Sequence, residues 1–410
     1  MTTIQVYEYQ KIKIGEEIDG TIFTLTHFQA LLTLAESQTV SFYSIEHEAV
    51  RFKNYVGVIQ VGSLCIEILP KLDQWLPSKS AIQGCLIDML RICRFLKVNT
   101  LNQATLSWKS IPLMELFWEF FLEEVAIILR EGLLKFYAQT QSEKGYLKGR
   151  LLLHKQLRLQ ALGKESFFTA SSAYDYHHPF NAALYQALQV LRTFQLSPKV
   201  HHLLWQILNR FPVIDTPPIS NVFFDQLAFN RKSKRYEKAL LLARMILANK
   251  TPDVRSGSHP SIAMLFDMNL LFEEYIYQQL LRFAPAGAQL SHQENRLFWQ
   301  KRVIRPDIVI RMGDKTIVVD TKWKLLPKGQ PAMDDLRQMY VYNRYFEAQK
   351  GILLYPQLHF NTSMASPFHV HQGEAMDHGI CEVRFVDLLK AGNLNSELGK
   401  ELWQHILSAT

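Results

Sequence analysis

Two aspartates and a lysine fall where a tight hairpin would bring them together. They lie in Arg305-Pro-Asp-Ile-Val-Ile-Arg-Met-Gly-Asp-Lys-Thr-Ile-Val-Val-Asp-Thr-Lys322, where two β-branched runs flank Met312-Gly313-Asp314-Lys315. Glycine first in a two-residue loop suits a type II′ turn. With Gly313 and Asp314 as the loop, Met312 opposes Lys315. The same register sets Asp307 opposite Asp320, with Cβ atoms ~4.5–5.5 Å apart. Alternation along the strand puts Lys322 on the face of Asp320. Carboxylates so placed repel each other and lose hydration among Ile308, Ile310, Val318 and Val319, and a divalent cation relieves both penalties. Oxygen-only ligands favour Mg²⁺, with Mn²⁺ as the substitute; Mg²⁺ keeps several waters and takes phosphate oxygens. Such an ion activates water and polarises a phosphodiester, while Lys322 orients the nucleophile or offsets transition-state charge. The plainer reading is a strand cap at Asp307 and a surface Asp320–Lys322 ion pair. The Pro-Asp step, the hairpin and the matching register together outweigh it.

The spacing Pro306-Asp307…Asp320-Thr321-Lys322 resembles the PD-(D/E)xK nuclease motif. The resemblance implies that Asp307, Asp320 and Lys322 are catalytic and that both aspartates hold the metal with the Thr321 carbonyl. In that superfamily a helix ahead of the hairpin often supplies a further Glu, and Met268-Asn-Leu-Leu-Phe-Glu273-Glu274-Tyr-Ile matches it. Glu273 is favoured over Glu274 because Asn269, Glu273 and Ile276 share a face with Leu280; two solvated helix glutamates are the competing reading. Asp335-Leu-Arg-Gln338-Met-Tyr-Val-Tyr342 resembles the Q-x-x-x-Y helix of related nucleases. Gln338 and Tyr342, one turn apart on one face, are therefore expected to contact the DNA backbone or brace the site. Taken alone, Tyr342 is explained better by core packing.

The likeness continues outside the hairpin. Tyr55-Val-Gly-Val-Ile-Gln-Val-Gly, Ile66-Glu-Ile-Leu-Pro-Lys71, Leu147-Lys-Gly-Arg150, His178-Pro-Phe-Asn181 and Leu271-Phe-Glu-Glu-Tyr275 are similar to segments of the McrC family, and the resemblance covers most of the chain. McrC is the nuclease subunit of the McrBC restriction system. The resemblance implies a Mg²⁺-dependent subunit that cleaves modified double-stranded DNA. It also implies an McrB partner, a AAA+ GTPase that recognises methylated DNA, translocates it and is stimulated by the N-terminal region of McrC. No G-x-x-x-x-G-K-[ST] loop occurs, so a nucleotide-driven motor must be another chain. Two alternatives stay open: a non-catalytic adaptor regulating a AAA+ NTPase, and a nuclease subunit whose partner reads an unmethylated sequence. The intact acid–acid–lysine set argues against the first.

Around the hairpin the pattern predicts a multidomain α+β chain. Residues 1–110 read as a β-rich, partner-docking domain with strands at Tyr55–Gly62 and Leu64–Leu69, then a helix from Ile82 to Phe95. Residues 111–250 read as mainly helical, with helices over Pro112–Phe136, Phe180–Phe194 and Val200–Phe211. Glu115, Glu119 and Glu123 form a stripe expected to be solvated. Residues 251–260 have the composition of a linker. Residues 261–410 read as an α/β domain: a helix over Ile262–Phe283, strands at Val303–Arg311 and Lys315–Thr321, a helix over Asp334–Lys350, strands at Gly351–Tyr355 and Glu382–Val386, and a final helix. The resemblance assigns that last domain the PD-(D/E)xK, restriction-endonuclease-like fold.

Composition sets the outer limits. With 410 residues, 48% of them hydrophobic, the chain can bury more than one core and is not broadly disordered. A net charge of +7 favours a polyanion without establishing one. Four cysteines without a CxxC pair point to a reducing compartment, and no apolar run reaches the ~18–20 residues of a membrane span. A soluble, cytoplasmic protein with no membrane contact is expected. His359, His369, His371, His378 and Cys381 match no common zinc module, so a zinc site is not expected. Arg231–Lys238 is the densest basic run and is at least as well read as a solvated helix start. Gly62-Ser63 reads as a turn, and Trp75, Trp108 and Trp118 as core.

Overall fold

The computed structural model describes residues 2–37, 41–61, 64–72, 78–93, 112–214, 219–248, 250–251, 261–326, 329–357, 362–369 and 379–408. Of the expected linker over 251–260, Thr251 ends a short strand and 252–260 lie outside the described residues, as do the Gly62-Ser63 turn, Trp75, Trp108, His359, His371 and His378.

An N-terminal sheet runs in the order Thr2–Tyr7, Leu64–Leu69, Tyr55–Val61, Ser261–Asp267 and Lys250–Thr251. The outermost pair Thr2–Tyr7 and Leu64–Leu69 is parallel; the other contacts are antiparallel. Alternation divides its apolar side chains between two cores. Ile59, Val61, Ile66 and Ile68 pack with Phe23, Leu31 and Phe52, while Val56, Val58 and Cys65 join the large helical core on the other face. Gly57 is required here: at φ 134°, a Cβ would lie 2.2 Å from the Met264 carbonyl oxygen of the neighbouring strand.

The helix expected over Ile262–Phe283 is two elements, a strand at Ser261–Asp267 and a helix at Met268–Arg282. The apolar run Ile262-Ala-Met-Leu-Phe266 fits either period, and the open edge of Tyr55–Val61 decides it by offering a full ladder of backbone partners. Asp267 then caps the helix, its carboxylate accepting from Asn269 N at 2.8 Å, and Asn54 ties the junction from the other sheet strand through Nδ2 to Asp267 at 3.0 Å.

The middle of the chain packs helices Leu113–Glu131, Pro179–Leu191, Pro198–Arg210 and Glu237–Ala248 around one core. The first helix stops at Gly132 (φ 91°), short of the expected Phe136. The region is less purely helical than its sequence suggests: Phe136–Lys144, Arg150–Leu151 and Phe167–Asp175 form a three-stranded sheet. Those strands are polar and leave Tyr137 and Tyr174 exposed, so they lack the buried alternation that marks a strand. The expected solvated stripe is also corrected. Glu119 is buried and accepts from Lys199 Nζ at 2.7 Å, because Pro198–Arg210 packs across that face.

The C-terminal sheet runs Gln289–His292, Ile308–Met312, Lys315–Thr321, Lys350–Pro356, Ile380–Val386, Met364–Pro367. Its three central strands are parallel, joined between the first two by the helix Met333–Phe346, and are covered on both faces. Ile308, Ile310, Ile317, Val319, Ile352 and Leu354 belong to the core shared with the Glu273 helix. Val309, Val318, Leu353 and Tyr355 pack with Met339, Tyr342 and Phe346 of the helix carrying Gln338. The expected Val303–Arg311 strand breaks at Arg305–Asp307, where Pro306 has no amide to give a ladder; Arg302–Ile304 pairs instead with Arg296–Trp299 as a small separate hairpin.

Candidate active site

The hairpin forms in the register its turn dictates. Ile308 pairs with Val319 and Met312 with Lys315, and Gly313 takes φ 56° while Asp314 stays at negative φ, as a type II′ turn requires. The ladder ends at Ile308–Val319, so Asp307 and Asp320 are the next opposed pair, at its open end. Asp320 is 2% exposed. Asp307 is partly buried, and its Oδ2 accepts from Thr321 N at 2.6 Å and Thr321 Oγ1 at 2.8 Å. Burial, then the neighbouring Asp320 and Glu273 carboxylates, pushes the Asp307 carboxyl up to about 7. Asp320 is raised as well, first by burial and then by Asp335 and Glu273, against the pull of Lys322.

Lys322 answers part of this charge. Its Nζ lies 2.7 Å from Asp320 Oδ2, approaching off the line of a hydrogen bond, and donates to Gln338 Oε1 at 3.0 Å. Burial would lower the ammonium's pKa, but Asp320, Asp307 and Asp335 raise it further, so the group stays charged. Gln338 Nε2 donates to the Tyr342 hydroxyl at 2.7 Å, and that hydroxyl donates to the Arg305 carbonyl at 3.0 Å. A relay therefore runs from Asp320 through Lys322, Gln338 and Tyr342 back to the residue before Pro306. It fixes the lysine and ties the helix to the mouth of the hairpin.

Glu273 approaches from the helix on the other face of the sheet. It is buried, and its Oε1 accepts from Gln293 Nε2 at 2.7 Å and pairs with His292 Nε2 at 3.0 Å. Glu274 is half-buried and accepts from Gln278 Nε2 at 2.8 Å, one helical turn along. The hydrogen bond to Glu273 raises the His292 pKa, and His292 stacks on Tyr277 at 4.5 Å. The structure thus brings together Asp307, Asp320, Thr321, Lys322, Gln338 and Tyr342, with Glu273 at the flank.

Sequence reasoning missed several neighbours. His292, at the end of the strand Gln289–His292, and Gln293, just beyond it, hold Glu273, and that strand carries no periodic signal. Asp335 is buried, adds its charge to that of Asp320 and accepts from the Tyr355 hydroxyl at 2.9 Å; it opens the quoted Gln338 segment but nothing in its spacing assigns it a task. Trp323, next to Lys322, donates from its indole to Glu8 Oε1 at 2.6 Å, joining the site to the N-terminal sheet. Only placement in space shows this.

Among the described residues, no group of three or more His, Cys, Asp or Glu side chains is set closely enough to grip an ion unaided. His369 is exposed and Cys381 buried and free. The donor chemistry at the hairpin still fits one class of ion. Buried Asp320 and partly buried Asp307 carry like charge against one lysine, which pairs with Asp320, and their free lone pairs are all oxygen. That suits a small divalent cation that takes few protein ligands and keeps its own waters.

The chain matches the model of the McrBC 5-methylcytosine restriction system component family over residues 50–356. It belongs to that family. Its fold is similar to a chain in the refined half-complex from the tetradecameric assembly of Thermococcus gammatolerans McrB AAA+ hexamers with bound McrC. The TM-score is 0.65 at 20% identity, covering 99% of this chain and 100% of that one. A second likeness is to the Thermococcus gammatolerans McrBC complex, with a TM-score of 0.50 at 20% identity over 68% of this chain and 88% of that one. No curated relative matches the sequence. No helix among the described residues is long and apolar enough to cross a membrane.

Proposed function

We propose that this chain is the DNA endonuclease subunit of a McrBC-like complex, with its C-terminal sheet a PD-(D/E)xK domain. The observation that carries the reading is the hairpin mouth, where Asp307, Asp320 and Lys322 converge with more negative charge than the protein itself neutralises. Asp307, Asp320 and the Thr321 carbonyl would hold Mg²⁺, or Mn²⁺, with Glu273 at its flank. When bound, such an ion polarises a phosphodiester and lowers the pKa of water. The chain's own residues do the rest. Thr321 fixes Asp307 through two hydrogen bonds, and Gln338 holds the Lys322 ammonium beside Asp320. There it can orient the attacking water and offset charge on the phosphate. The Tyr342 bond to Arg305 keeps the two sides of the mouth in register.

The family and the McrB hexamers of the similar assembly support a AAA+ ring as partner and modified DNA as substrate; we take the ring to be a GTPase, the DNA to be double-stranded and the cytoplasm to be the place of work. In this reading the ring recognises methylated DNA and translocates it, and the N-terminal half of this chain docks on and stimulates it.

The test is Asp320→Ala in the assembled complex. Cleavage of methylated plasmid should vanish while GTP hydrolysis by the ring stays stimulated. An Asp320→Ala complex that still cuts DNA overturns the assignment. A wild-type complex that stimulates GTP hydrolysis but never cuts identifies an adaptor instead.

A further inference from the structure

The small hairpin of Arg296–Trp299 and Arg302–Ile304 belongs to neither large sheet. Its apolar side chains face outward: Leu297 is 71% exposed, Trp299 58%, Val303 50% and Phe298 47%. Isolated exposed apolar residues are ordinary, but four within seven positions of one hairpin are a surface to be explained.

Beside them runs a groove of about 600 Å³, whose lining includes Phe298, Val303, Arg305, Arg337, Gln338 and Tyr342. Two of those side chains are already in the relay that holds Lys322, so the groove leads to the candidate site. Its rim is cationic. Arg305 and Arg337 are exposed, Lys301 and Arg302 stand at the hairpin turn, and the Arg302 guanidinium lies 5.8 Å from the centroid of the Trp299 ring. The acids on the same side are largely committed or loosely held. Glu294 is bound by Arg311 at 2.8 Å, and the Asp334–Arg337 pair at 3.0 Å is open to solvent on both sides, an arrangement worth little and readily exchanged.

We propose that this hairpin and groove bind the DNA strand being cut, with backbone phosphates on Arg305 and Arg337 and a base stacked on Trp299. The inference rests on the nuclease reading above and adds where the substrate lies. Guanidinium groups set next to exposed aromatic rings match alternating phosphates and bases, whereas a protein partner has no need of the cationic rim. Arg305 is two residues before Asp307, so a phosphate held there has its neighbour at the hairpin mouth. The Arg305 contribution to the relay comes from its backbone carbonyl, and its exposed side chain forms no ion pair among the described residues.

The experiment measures binding of fluorescein-labelled duplex and single-stranded DNA to the full chain, without divalent ions, across a salt series. Cleavage by the assembled complex is followed in parallel. Arg305→Ala with Arg337→Ala should weaken binding and reduce the slope of log affinity against log salt by about 1.8 on duplex, about 0.9 for each phosphate no longer neutralised. Trp299→Ala should weaken binding of the single strand roughly ten-fold with little change of slope, since stacking carries no counterion release. All three side chains are exposed, so unchanged melting curves should accompany both variants. Wild-type affinity and slope in these variants overturn the proposal, as does a wild-type chain that binds no DNA at low salt. So does a Trp299→Ala variant that changes only self-association or ring binding, which would make the surface a protein contact. If Asp320→Ala abolishes cleavage while the groove variants bind and cut normally, only the groove fails; if Asp320→Ala still cuts, the nuclease reading fails first.

Discussion

Glu382 and the Asp307–Asp320 pair are acids at the C-terminal sheet, largely removed from solvent, and the protein treats them in opposite ways. Glu382 lies within 2.7 Å of three cationic or protonatable partners: Lys350 at 2.6 Å, Arg384 at 2.7 Å and His405 at 2.7 Å. Burial alone would raise its carboxyl; Lys350, His405 and Arg384 together hold it down at about 2. The hairpin mouth sets Asp307 and Asp320 against one lysine, while the flanking Glu273 pairs with His292 at 3.0 Å, and the Asp307 carboxyl rises to about 7. Burial is common to both places. What separates a structural acid from a chemically poised one is the charge left over after the protein's own cations are counted.

The comparison breaks first at Lys322. Lys322→Ala removes the cation that faces both aspartates, and cleavage by the complex should fall by roughly 10²–10³-fold, the cost of one lost charge-stabilising donor. A loss below about three-fold would show that the lysine is merely a counter-ion of Asp320. Next comes the compensated end. Glu382→Ala strands Lys350 and Arg384 and should cost about 3 kcal/mol in thermal or urea unfolding. A cost under about 1 kcal/mol would mean that the cluster is a solvent-relaxed surface network.

The smallest effect sharpens the contrast through pH. For Glu382, held below its ordinary 4.5, the stabilisation is complete above that value and lost as pH falls toward 2. For Asp307 the sign reverses. Its folded form binds the proton more tightly than the unfolded chain between 3.8 and about 7, so metal-free stability is highest below that window and declines as pH rises through it. Asp307→Asn keeps an oxygen for Thr321 and removes the charge. It should raise metal-free stability by about 1–2 kcal/mol above pH 7 and leave it unchanged at the acid end. A melting curve that moves equally at both ends would refute the charge argument.

The hairpin was legible in the sequence because a two-residue turn fixes register by itself, and register fixes which side chains meet. Gly313 was enough to set Asp307 against Asp320. The Gln338–Tyr342 pairing was legible for the same kind of local reason, one helical turn. What could not be read depends on partners far along the chain. The strand Ser261–Asp267 is settled by Tyr55–Val61, Glu119 is buried under the helix Pro198–Arg210, and Glu273 is held by Gln293, just past a strand with no apolar pattern. The polar strands over Phe136–Asp175 failed differently, since with few buried side chains they leave no hydrophobic period to detect.

The junction at Asp267 has a mechanical consequence. The peptide that completes the N-terminal sheet enters the Glu273 helix without an intervening loop, and the Trp323–Glu8 bond pins a second point on the far side of Lys322. Load applied to the N-terminal sheet would reach Lys322 and Glu273 through these two junctions. A partner gripping that sheet would twist the hairpin mouth and not merely tow it.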